Sequence, residues 1–220
     1  MPDVSQGPWT ALLVGNHLPD ASTLETLAAG ARNRQCIAAA FDSYADSLRS
    51  TALGMLAMQE GVTAQDSRTA FSAGEAHSRS VAEKNIVRKA ALERAYSATA
   101  EFRSQLADIA ERGNGRIRAV LDSEQPTGQQ VSQIVDLLSR AQTEANIRAA
   151  ACSQEMLGAL QSVLDHSRIT RSGVTPSARE FAAVQGQDLT NPFTAMRSET
   201  LRRHVESVLA NPSQGSTTSR

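Results

Sequence analysis

Four histidines (His17, His77, His166 and His204) and two cysteines (Cys36 and Cys152) are the residues of this chain best suited to metal binding or nucleophilic chemistry. Metal sites need such groups clustered, or spaced one helical turn apart so that they share a face. The histidines are scattered, and none has a carboxylate or second histidine at metal spacing. The chain has no HExxH, no GxSxG, no phosphate-cradling glycine loop and no CxxC. No catalytic residue, metal ion, cofactor or enzymatic activity is therefore expected. Asp165-His166 falls at the end of a helical pattern, where a protonated imidazole favours the dipole. Glu60 and Asp66 fall on turns, as caps or solvated charges. Two cysteines cannot build a disulfide framework. In an up-down-up bundle they would be offset by about nine residues, near 13 Å. A disulfide tolerates at most about 7 Å between Cα atoms, so two free thiols are expected.

The basic residues invite a test for nucleic acid. Lys84, Arg88, Lys89, Arg94 and Arg103 alternate with Glu83, Glu93, Glu101 and Glu111, and the net charge is −1. A nucleic-acid face needs a sustained basic stripe; this mixture reads as a solvated helix surface. No apolar run approaches the roughly 18 residues of a membrane span, and the start lacks the basic and apolar regions of a signal peptide. Synthesis in the cytoplasm is expected, with export that uses no cleavable signal left open.

The elements that carry these residues are helices. Hydrophobic residues form 40% of the chain but aromatics only 4%, so the core must be built from Ala, Leu, Ile and Val. Small side chains bury little area each, at about 25 cal/mol per Å², which favours long, closely apposed helices. Residues 1–21, rich in Pro and Gly around Trp9, Leu12, Leu13 and Val14, read as an extended arm with at most one helical turn. "LPDASTLETLAAGARNRQC" then starts a helix over 22–60, with Ser22 and Glu25 at the spacing of a capping box. Leu24, Leu27, Ala31, Ala38, Phe41, Ala45, Leu48, Ala52 and Met55 give it an a/d stripe, interrupted at Arg34 and Gln35.

Gly61 follows as a helix-ending residue, with Thr63 and Asp66 to cap the next helix. "MQEGVTAQDSRTAF" thus predicts a tight helix–turn–helix between antiparallel neighbours. The second helix carries Phe71, Val81, Ile86, Tyr96, Phe102, Leu106 and Ile109. "ERGNGRI" is either a turn or a weak point in a helix that resumes with Ile117 and Val120. After the break "SEQPTGQQ", a third helix over 129–166 runs for about 38 residues, or 57 Å. Beyond Ile169 a polar linker leads to a short amphipathic helix opened by Asn191-Pro192. Its apolar face is Phe193, Met196, Leu201, Val205 and Val208, and the last ten residues read as disordered.

The expected fold is all-α: an elongated antiparallel three-helix bundle of long helices over 22–169. An N-terminal arm (1–21) and a C-terminal helical appendage (170–220) flank it. With no chemistry in view, protein contacts remain. Trp9 and Phe193 are the aromatic groups best placed to be partly exposed anchors, although folding back onto the bundle is the favoured reading for both. Phe41, Phe71 and Phe102 are the largest groups on the stripes, beside Tyr96 and the turn at Gly61.

The segment "PWTALLVGNHLPDASTLETLAAGAR", followed by a long helix, a Gly-containing turn and a longer helix, resembles the N-terminal helical region of actinobacterial type VII (ESX) secretion substrates. The resemblance covers residues 8–122. "QEG" (59–61) keeps the turn glycine of the family's Trp-x-Gly, with Gln59 in place of Trp. The Tyr-x-x-x-Asp/Glu signal is not met from Tyr96, where Ala100 stands at the acidic position. The resemblance implies a non-enzymatic domain that pairs with another helical protein, such as a small WXG-type partner or secretion chaperone. The other reading is a structural scaffold or adaptor that self-assembles through its bundle.

Overall fold

The structure, a computed structural model, describes residues 7–15, 19–167, 175–185 and 198–210. Among them the fold is all-α, with six helices and no strand: α1 (Thr10–Val14), α2 (Ala21–Leu53), α3 (Val62–Leu121), α4 (Thr127–Ser167), α5 (Ala178–Val184) and α6 (Ser198–Ala210). His17, Asn191, Pro192, Phe193, Met196 and the final ten residues lie outside the described residues. Contacts divide the chain into two compact units. One holds residues 21–97 and 155–184, the other residues 1–20, 98–154 and 185–220.

In the first unit α2 and α3 pair antiparallel. A Cβ at Gly30 would touch Leu92, and one at Gly74 would touch Leu48, so positions rise along one helix as they fall along the other. The seam recurs every seven residues on α2, where Leu24, Ala31, Ala38 and Ala45 are buried. A seven-residue repeat keeps one stripe against a partner, and alanine there lets the backbones approach. α4 runs antiparallel to α3 beside it, with Arg94 Nη2 2.8 Å from Glu155 Oε2 and His166 Nε2 3.8 Å from Glu83 Oε1. These three segments form the expected antiparallel three-helix arrangement, joined by α5 through buried Ala178 and Ala182.

The interruption at Arg34 has a partner in this seam. Asn85 is buried, donates to Val81 O at 2.8 Å and accepts from Arg34 Nη1 at 3.3 Å. A buried amide satisfied in this way penalises slipped registers, because a slip leaves it unpaired.

The second unit departs from the expected organisation. Its core joins Phe102, Leu106, Ile109 and Ile117 of α3 and Val131, Ile134 and Leu138 of α4 with Trp9, Leu13 and Val14, and with Leu201 and Val205 of α6. The N-terminal segment is therefore not an extended arm. It forms α1 and buries its apolar residues in the core. The described C-terminal helix likewise seats its apolar face instead of hanging as an appendage. An apolar stripe on a short helix cannot hold a helix in water unaided, and tertiary burial supplies the stability.

Two boundaries differ as well. α2 ends at Leu53, seven residues before the expected 60, where Gly54 breaks it. α3 is continuous through Gly113-Asn114-Gly115, so that site is not a turn.

Candidate interaction surfaces

The N-terminal segment is held by polar groups that converge from α3 and α4. Asn114 Oδ1 accepts from Trp9 N–H at 3.1 Å, while its Nδ2 donates to Thr10 Oγ1 at 3.0 Å and Ala110 O at 2.8 Å. Gln142 Nε2 donates to Leu12 O at 2.8 Å, and Arg103 Nη1 to Pro19 O at 3.1 Å. A Cβ at Gly113 would overlap Leu13, and one at Gly7 would overlap Asn114. The "GNG" stretch is thus a docking point, with one glycine admitting Leu13 and the asparagine bonding the backbone of the docked segment. Trp9 is only 5% exposed. Trp9 folds back and does not stand as an exposed anchor, because Gly113 leaves room for the segment and Asn114 satisfies its backbone N–H.

The other expected contact residues spread across both units. Phe102 is 9% exposed and belongs to the second unit's core. Phe41, Phe71 and Tyr96 are half-buried on α2 and α3 of the first unit. Gly61 stands directly before α3 with φ +104°, a left-handed backbone that disfavours any Cβ, and its carbonyl accepts Gln65 N–H at 3.1 Å. It opens α3 instead of closing α2.

Some of the charged residues pair on surfaces. Arg79 links α3 to α2 through Asp46 (2.8 Å) and reaches Glu75 on its own helix (3.3 Å). Bonds to Asp46 first and Glu75 second raise its pKa further above the ordinary arginine value, so it stays charged. Lys89 pairs with Glu93 and Arg112 with Glu144. Exposed pairs of this kind contribute about 0–1 kcal/mol each. His77 and His204 are exposed, and His166 is half-buried in the last turn of α4. Among the described residues no group of His, Cys, Asp or Glu could hold a metal ion, and no helix is long and apolar enough to cross a membrane.

Sequence reasoning missed Asn114, Gln142 and Arg103. Arg103 read as one of the solvated charges, and nothing local marks Gln142. The GNG stretch was the one legible signal, since two glycines about an asparagine need a reason within a helix. Comparison with protein-family models, with curated proteins and with solved structures returns no match for this chain.

Proposed function

We propose that this chain is a non-enzymatic helical protein of a type VII secretion system, a substrate or secretion-associated factor that binds another helical protein. The observation that carries this reading is the α2–α3 hairpin. Long antiparallel helices meet along a small-residue seam, with glycine before the second helix and Phe41 and Phe71 left half-buried. That is the helix–turn–helix the resemblance implies. The half-buried aromatics supply area that a partner helix would complete, since aromatic groups concentrate binding energy. In this reading the protein is made in the cytoplasm and passes through, or works at, the secretion machine.

Co-expression with a small WXG-type partner tests the proposal. A stable heterodimer is expected, with Phe41→Ser and Phe71→Ser each weakening it at least about tenfold. Replacing His77, His166 or His204 with Gln should leave binding unchanged. Failure to bind any such partner, or a histidine variant that loses binding at wild-type stability, would sink the reading.

A further inference from the structure

A charged layer interrupts one flank of the α2–α3 seam. On α2 the half-buried residues Leu27, Arg34, Phe41 and Leu48 recur every seven positions beside the buried alanines. On α3 the half-buried residues Gly74, Val81, Arg88 and Ala95 recur in the same way. The contacts of Gly74 with Leu48 and of Gly30 with Leu92 set a register in which facing positions add to 122. The layers along this flank are therefore Leu27 with Ala95, Arg34 with Arg88, Phe41 with Val81 and Leu48 with Gly74. A seven-residue repeat keeps such layers in step along a helix pair. Three of them are apolar or small, and the remaining one sets two arginines level with each other.

Neither arginine has a carboxylate. Arg34 donates from Nη1 to Asn85 Oδ1 at 3.3 Å, which leaves Nη2 and Nε for a ligand. Arg88 forms no ion pair among the described residues, and neither does the half-buried Lys84 one turn away on α3. Acids are scarce around this layer. Between Glu25 and Asp42 α2 has none, and between Val81 and Ala95 α3 has only Glu83 and Glu93. Glu83 lies 3.8 Å from His166, Glu93 3.3 Å from Lys89, and Asp42 3.9 Å from Arg79. Arg34, Arg88 and Lys84 are thus left uncompensated in a chain whose net charge is −1. Like charges at one level repel, and half-burial reduces the screening by water.

An anion between the arginines would remove that repulsion, and the charge to be matched decides which. A carboxylate would neutralise only one of the two. A phosphate group carries about −1.5 to −2 at neutral pH and offers three acceptor oxygens, which guanidinium forks engage two at a time. We propose that Arg34 and Arg88 form a binding site for a phosphate group, free or as a monoester, with Lys84 adding charge at its edge. The proposal is independent of the secretion reading.

Thermal melts of the full chain test it, with inorganic phosphate compared with sodium chloride at matched ionic strength. Phosphate also stabilises folded proteins generally by exclusion from their surface, an effect that rises steadily with concentration and that variants share. The site adds a saturable shift, half-maximal on the order of 1 mM and reaching about 5 °C at about 20 mM. Arg88→Gln and Arg34→Gln should each abolish the saturable part, while Arg49→Gln, at an exposed position outside the layer, should keep it. In chloride alone Arg88→Gln should melt no lower than the native chain, because it relieves the repulsion. Glycerol phosphate separates the two sources: an equal or larger shift assigns the site to a monoester, and no shift assigns it to the free ion. A native chain whose response to phosphate never saturates, or an Arg88→Gln chain that keeps the saturable shift, would overturn the proposal. An Arg88→Gln chain that melts lower in chloride would do the same, since the arginine would then already be satisfied within the fold.

Discussion

A Cβ at Gly115 meets nothing within 4 Å, while one at Gly113 would overlap the fully buried Leu13. The two glycines sit two residues apart in α3, yet alanine should act on them in opposite directions. At Gly115 it should stabilise by about 0.5–1 kcal/mol through helix propensity. At Gly113 the same gain is set against overpacking of about 1–3 kcal/mol, because Leu13 has no open space to enter. Gly113→Ala should therefore lower the melting temperature and red-shift Trp9, the only tryptophan, as α1 lifts from its seat. Thermal melts with fluorescence check both. Nothing in the local sequence separates these residues, since the difference lies in what packs above each.

At the level of elements, helix starts were only partly legible. Ser22 and Glu25 have capping-box spacing, but α2 begins at Ala21, so Ser22 lies inside the first turn. The reciprocal box forms at α5, where Ser177 N–H donates to Glu180 Oε2 at 2.9 Å and Glu180 N–H donates to Ser177 Oγ at 3.2 Å. The Ser177 backbone bond first, and its hydroxyl second, lower the Glu180 pKa below the ordinary glutamate value. A depressed folded-state pKa means that the cap is intact above the ordinary carboxylate range and lost as pH falls through the lowered value. A carbon-13 titration should place the Glu180 midpoint below that of an unperturbed glutamate, and Ser177→Ala should return it there. A midpoint at or above the ordinary value would contradict the box. At the α2–α3 connection, Gly61→Ala should cost about 1–2 kcal/mol from the left-handed backbone alone, read by chemical denaturation.

Over the whole molecule, burial separates three phenylalanines that look equivalent on their stripes. Phe102 belongs to a core to which α1, α3, α4 and α6 all contribute, whereas Phe41 and Phe71 are half-buried. Phe102→Ala should cost about 3–5 kcal/mol, with clearly smaller losses for Phe41→Ala and Phe71→Ala in the same denaturation series. Cys36 is exposed and Cys152 half-buried, and no disulfide joins them. Mass spectrometry should count two thiols, and alkylation of the native chain should modify Cys36 first. An intramolecular bridge would contradict the fold.

Sequence by itself determined the class of this protein and the course of its long helices. A stripe of apolar residues at three- and four-residue steps has one low-energy use, and α4 falls within two residues of its expected bounds. Small residues on the α2 stripe likewise announced a close seam. Tertiary structure alone decided where the short segments go. Trp9 and Asn114 bond across 105 residues of chain, and Gln142 reaches Leu12 across 130. Whether an apolar nonapeptide such as "GPWTALLVG" stands in solvent or closes a core depends on the space and donors waiting for it, and a distant glycine, asparagine and glutamine supply them.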